Sequence, residues 1–202
     1  MSKYVIGIDE VGRGSLAGPV VVAAVALPKD LEFRIQKLGG LRDSKKLTPV
    51  KREQWVAHIK ASSKIRFAVA RVNPRRIERI NIANAANSAA ERACRSLCKK
   101  YRIPFEQCQV LIDGGLYLGK ARGMQNVRTI VRGDEKFTSI KLASIVAKVH
   151  RDNYMRRLGK KYPSYRFEIH KGYGTKVHMR ALKKYGPSEV HRMSFIQGIV
   201  TG

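Results

Sequence analysis

Three apolar runs in this chain each end in carboxylates. Tyr4-Val5-Ile6-Gly7-Ile8 leads into Asp9 and Glu10, Val110-Leu111-Ile112 leads into Asp113, and the run 127–131 reaches Asp134 through Arg132 and Gly133. Acids are scarce here: 15 Asp and Glu stand against 41 Lys and Arg. Taken singly, each has an ordinary explanation, since Asp113-Gly114 is a common turn dipeptide and Asp9-Glu10 could simply end a strand. Taken together, carboxylates delivered by several strand ends to one sheet edge are how folds assemble sites. Four such groups repel one another unless divalent cations lie among them. Oxygen-only donors select hard ions, Mg²⁺ or Mn²⁺, over zinc. Beside a polyanionic substrate, the chemistry such a set can support is two-metal phosphodiester hydrolysis. Adjacent strand residues face opposite ways, so Asp9 and Glu10 can share a site only if the backbone bends near them, and Gly12 and Gly14 make a bend available.

The partner follows from charge. A formal net charge of +26 suits nucleic-acid phosphates, whose condensed counterions Lys and Arg displace. From Lys136 onward only Asp152, Glu168 and Glu189 are acidic, and Tyr162, Tyr165, Phe167, Tyr173 and Tyr185 are interleaved with cations, a pattern that suits phosphate contacts and stacking. Cys94, Cys98 and Cys108 are odd in number, which argues against a disulfide framework and for a reducing compartment. Asp9, Glu10 and Arg13 interrupt any signal-peptide core, and no run of about 18 apolar residues occurs. The expectation is a monomeric cytoplasmic protein with no membrane contact.

These residues need elements to position them. Residues 3–9 and 18–27 read as strands joined by the Gly12-Arg13-Gly14 turn, with Lys29 to Leu47 mostly loop. Thr48-Pro49 starts a helix to about residue 62, and a strand follows at 65–72. Asn73-Pro74 opens one long helix to about Tyr101. Strands at 107–112 and 126–131 come next, then a helix capped by Thr138. The alternation predicts an α/β fold: a mixed sheet flanked by helices. No flexible linker precedes the basic C-terminal segment, so 1–160 reads as the catalytic domain and 161–202 as an extension that contributes to substrate binding.

Asp9-Glu10-Val11-Gly12-Arg13-Gly14 followed by Leu16-Ala17-Gly18-Pro19 resembles the signature of ribonuclease HII, the type 2 ribonuclease H family. The resemblance continues through Asp43-Ser44-Lys45-Lys46-Leu47, Ile112-Asp113-Gly114, Gly133-Asp134, Ala143-Ser144-Ile145-Val146-Ala147-Lys148-Val149 with Arg151-Asp152, His170-Lys171-Gly172-Tyr173-Gly174-Thr175, and His191-Arg192-Met193-Ser194-Phe195. It implies a ribonuclease H-like fold with a C-terminal helical extension. It also implies an endonuclease that cuts the RNA strand of RNA/DNA hybrids and incises DNA duplexes beside embedded ribonucleotides, with two Mn²⁺ or Mg²⁺ ions. Asp9, Glu10, Asp113 and Asp134 fall on the family's active-site acids. Gly12, Arg13 and Gly14 fall on the loop that recognises the ribonucleotide through its 2′-OH and phosphates, and Tyr173 on the tyrosine that stacks on the next sugar. Lys45, Lys46, Lys171 and Thr175 sit inside matched motifs and are assigned phosphate contacts. Ser15 stands where many members have Pro or Cys.

Other candidates carry plainer readings. Glu135 reads as a solvated acid and Asp152 as a partner for a nearby cation. His170, His178 and His191 could move protons or bind phosphate, but scattered histidines in a basic region read first as surface residues. Ser44 and Ser144 lack the paired base that a nucleophile needs. Two rivals stay open: another two-metal nuclease of the same fold, and a non-enzymatic RNA-binding protein.

Overall fold

The structure, a computed structural model, describes residues 3–37, 47–118 and 126–200. Its centre is a five-stranded mixed sheet in the order β3-β2-β1-β4-β5, built from β1 (Tyr4–Val11), β2 (Val20–Pro28), β3 (Arg66–Val72), β4 (Cys108–Asp113) and β5 (Val127–Ile130). The first three strands pair antiparallel, whereas β1, β4 and β5 run parallel, so their C-terminal ends share one edge.

The two-residue period of β1 and β2 sorts their side chains to opposite faces. Ile6, Ile8, Val22 and Ala24 meet Ala86, Ala90 and Leu97 of α4 (Ile82–Tyr101) on one face. On the other, Ala23, Val25 and Leu27 meet Leu142, Ile145 and Val146 of α6 (Thr138–Lys161). Because both layers cover β2, that strand is buried almost throughout, which explains its unbroken Val and Ala run. A third cluster joins Ala17, Met155 and Leu158 to Tyr165, Phe167, Leu182 and Ile196, seating α7 (Phe167–His170), α8 (Lys176–Tyr185) and α9 (Met193–Val200) on the far end of α6.

Three expectations are corrected. The stretch after β2 is not all loop, because Lys29–Lys37 forms α1, with Leu31 and Ile35 spaced one turn apart against the core. The single helix expected from Pro74 divides into α3 (Pro74–Ile80) and α4 at Asn81, whose φ of 60° ends the first helix while its side chain accepts from the Asn84 amide at 3.0 Å to start the second. Thr138 does not cap α6. Phe137 occupies the cap position, and Glu32 of α1 instead accepts from the Ser139 amide at 2.9 Å. Thr48 does cap α2 (Pro49–Ala61), accepting from Lys51.

Candidate active site

The β1–β4 ladder closes with Ile8 opposite Ile112, while β1 stays paired with β2 as far as Val11. The strands therefore part just where the carboxylates begin. A cavity of about 340 Å³ opens there, lined by Asp9, Glu10, Asp113, Asp134, Arg52, Ser144 and Lys148 among others. Asp134 arrives from α5 (Gly133–Lys136), the short helix after β5, and is almost fully buried. Asp113 Oδ1 accepts from the Gly133 amide at 2.7 Å, a bond that ties the end of β4 to the turn carrying Asp134. Asp9 leans on α6 through Ser144, and Glu10 lies beside Gly115 past the end of β4. The two neighbours reach one cavity although they leave β1 on opposite faces.

The electrostatics fit a cation. Burial raises the Asp9 pKa from 3.8 to about 8, reinforced by the charges of Glu10 and Asp113 and opposed by the Ser144 hydrogen bond. Burial also raises the pKa of Glu10, against the pull of Arg13 at 3.5 Å. The second carboxylate oxygen of Glu10 is buried with no hydrogen-bond partner, a costly state that a hard ion would relieve. As the side chains stand, no group of three or more His, Cys, Asp or Glu among the described residues is arranged to hold a metal ion. The donor chemistry of the four carboxylates fits a hard divalent metal.

Beside the acids, the Gly12-Arg13-Gly14 loop is fixed from behind by two buried arginines. Arg192 donates to the carbonyls of Gly12 at 2.7 Å, Arg13 at 2.6 Å and Gly18 at 2.9 Å. Arg151 donates to Pro19 O at 3.0 Å, Lys171 O at 2.8 Å and Ser15 Oγ at 2.7 Å, and Ser15 in turn donates to Gly12 O at 2.9 Å. Gly12, at φ 91°, is required, because a Cβ there would lie 2.2 Å from the Arg151 guanidine. Arg13 bonds the Gly115 carbonyl and so bridges the loop to the end of β4. The Tyr173 ring is half-buried against Arg151, whose guanidinium carbon lies 5.3 Å from its centroid. Gly172 precedes it at φ 81°, and its carbonyl accepts from the Leu16 amide at 2.8 Å. A Cβ at Gly172 would strike Ala17 O at 2.5 Å.

The sequence profile of the family described as Ribonuclease HII matches residues 6–198. A ribonuclease HII of Caldicellulosiruptor bescii is 46% identical over 199 residues, 98% of this chain and 89% of that protein. This chain belongs to the ribonuclease HII family. It is a hydrolase, and the reading as a non-enzymatic RNA binder falls. Two solved structures place its fold: the ribonuclease H2 of Pyrococcus horikoshii OT3, at 24% identity and a TM-score of 0.75 over 98% of this chain and 97% of that one, and Bst-RNase HIII in complex with Mn²⁺, at 19% identity and 0.75 over 98% and 70%. The five-stranded mixed sheet is thus the ribonuclease H-like fold expected from the sequence.

Within this ribonuclease HII chain, the structure brings Asp9, Glu10, Asp113 and Asp134 to one cavity, with Gly12, Arg13 and Gly14 beside it and Tyr173 bound to Leu16 through its preceding glycine. Lys171 and Thr175 flank Tyr173, Lys171 in a left-handed conformation and Thr175 capping α8. Lys45 and Lys46 lie outside the described residues. Glu135 is exposed, and Asp152 pairs with Lys148 at 2.9 Å. The expectation of surface histidines is overturned: His170, His178 and His191 are all buried, because they line a common core with Tyr165 and Phe167. Sequence reasoning also missed four contributors. Arg52 and Lys148 line the cavity, the latter one helical turn beyond Ser144, a spacing that could have flagged it. Arg151 and Arg192 stand inside matched motifs, yet no role was read from them, since one arginine in so basic a chain looks like another.

Proposed function

We propose that this protein is a divalent-metal-dependent endonuclease that hydrolyses the RNA strand of RNA/DNA hybrids and incises duplex DNA at an embedded ribonucleotide. The observation that supports it most is the convergence of Asp9, Glu10, Asp113 and Asp134 on one cavity beside the arginine-braced glycine loop. These four acids would hold two ions, Mn²⁺ or Mg²⁺. Such ions, when bound, activate water and offset charge gathering on the phosphate under attack.

The chain's own residues position the substrate. Arg192 and Ser15 occupy carbonyls of Gly12 and Arg13, so the loop is fixed before substrate arrives, and its lack of side chains at two of three positions lets backbone approach a minor groove closely enough to sense a 2′-OH. The Tyr173 ring, backed by Arg151, meets the sugar that follows and disfavours a second 2′-OH there. Lys45, Lys46, Lys171 and Thr175 take phosphates, and residues 161–202 act as a substrate-binding extension of the catalytic domain 1–160. Among the described residues no helix is long and apolar enough to cross a membrane. The free thiols of Cys94, Cys98 and Cys108 suit a reducing compartment, and we assign the enzyme to the cytoplasm as a monomer.

A duplex carrying one ribonucleotide tests the reading. Cleavage is expected only with Mn²⁺ or Mg²⁺, leaving a 3′-hydroxyl and a 5′-phosphate. Metal-independent cutting, or a 2′,3′-cyclic phosphate product, would overturn it.

A further inference from the structure

The three buried histidines form hydrogen bonds that can be satisfied by one arrangement of protons. The Ser188 backbone N–H, an obligate donor, lies 2.9 Å from His191 Nδ1, and the Ser188 hydroxyl, also at 2.9 Å, can turn to donate to the same atom, so that nitrogen carries no proton. Neutral His191 therefore bears its proton on Nε2, which faces His178 Nε2 at 3.0 Å and donates to it. The His178 proton must then sit on Nδ1, and Nδ1 is 3.0 Å from the Tyr173 carbonyl, an obligate acceptor. Both ends of the chain, read independently, demand the same direction. His170 stacks on His178 with centroids 4.3 Å apart and repeats the pattern: its Nδ1 accepts from the Gly172 amide at 3.2 Å and its Nε2 donates to Tyr165 O at 2.7 Å.

We propose that His191 and His178 are positioning residues for the Tyr173 ring, setting the height of the 171–175 loop through a one-way relay that runs from Ser188 N–H to the Tyr173 carbonyl. The inference rests on the reading of Tyr173 as the sugar contact. Lys171 and Gly172 are both left-handed, so the peptide that presents Tyr173 has a shape the chain does not adopt unaided, and the relay fastens it from below while Arg151 and the Leu16 amide fasten it from the side. An extra proton on either ring sets donor against donor, at the Ser188 amide or between the two Nε2 atoms. The surroundings oppose that proton. Phe167 and Tyr165 enclose the rings, and among the described residues the charged side chains that act on them lie at the His170 end, where Glu168 favours a cation while Lys171 and Arg166 resist it.

Two measurements test the relay. Nitrogen-15 spectra of histidine-labelled protein should show His178 protonated on Nδ1 and His191 on Nε2; His178 protonated on Nε2 overturns the proposal. The second readout is the ratio of incision rate on a single-ribonucleotide duplex to that on a continuous hybrid, which general loss of stability does not move. Gln at 191 can place an amide where Nε2 stood and keep the donor to His178, whereas Asn reaches only the Nδ1 position. His191→Asn should therefore lower the ratio severalfold and His191→Gln should leave it near the wild type. In a Tyr173→Ala background, His191→Asn should change it no further. Equal effects of Asn and Gln, or a full additional loss in that background, overturn the relay. A Tyr173→Ala ratio equal to the wild type instead overturns the sugar contact itself, and the positioning role with it. Melting temperatures accompany each variant; where His191→Asn does not fold, the spectra of the wild-type protein decide.

Discussion

At the scale of single residues, the site is built against stability. Asp9 is buried beside two other carboxylates, and its folded pKa of about 8 lies far above the unfolded 3.8. A raised acid pKa means that the folded state binds the extra proton, so the contribution is fully present below pH 3.8 and is lost as pH rises toward 8. Asp9→Asn should thus abolish cleavage yet stabilise the metal-free protein at neutral pH by about 1 kcal/mol or more, roughly 2–4 °C for a chain of this size, with the gap closing near pH 4. Mn²⁺ should raise the melting temperature of the wild type and not of the variant. A variant less stable than the wild type in chelator at pH 7.5 would show that repulsion is not the dominant cost. These acids were legible in the sequence because carboxylates are rare in the chain and stand at strand ends. The bracing role of Arg151 and Arg192 was not, although both stand in matched motifs, because neither composition nor spacing separates a buried guanidinium from a surface one.

Among the elements, the strands and most helices follow from apolar period and cap signals, and most boundaries lie within two residues of expectation, whereas the strand order was not legible in either. Failures occur where a distant group replaces a local one, or where a single residue breaks a periodic run. Glu32 from α1 caps α6 in place of Thr138, and Asn81 divides a run that helical periodicity alone would carry through. The C-terminal segment is held by the same kind of long-range bond. Arg151 places four donated bonds on Ser15, Ala17, Pro19 and Lys171, a fork that Lys cannot reproduce. Arg151→Lys should destabilise the fold by on the order of 3 kcal/mol and lower incision further than melting explains at a temperature where both proteins are folded. Unchanged kinetics would detach the loop from its brace. The histidines add an acid limit. Burial lowers the pKa of His178 and of His191 from 6.5 to about 4, so their contribution is whole above pH 6.5 and fades as pH falls toward 4. The melting temperature should drop across that window, and less steeply in His191→Gln; parallel curves would place the acid sensitivity elsewhere.

The whole molecule carries an excess of 26 positive charges around a small acidic cavity, and the two must act on the same substrate in opposite senses. The cavity's carboxylates repel phosphate unless metal offsets them, while the surrounding surface attracts it at any metal concentration. Binding and cleavage are therefore separable. In chelator, hybrid binding should persist, and the logarithm of its affinity should fall with the logarithm of salt at about −0.9 per neutralised phosphate, so six contacts give a slope near −5. Replacing Lys171 should reduce that slope by about 1 and weaken hybrid and plain DNA duplexes alike, because a phosphate contact carries no sugar information. Tyr173→Ala should leave the slope untouched, since a ring on a sugar releases no counterion, and should act instead on the choice between substrates. Binding measured at four or more salt concentrations distinguishes these cases. A flat response would mean that the charge serves something other than the duplex, and a slope change in Tyr173→Ala would mean that the tyrosine loop places cations rather than a ring.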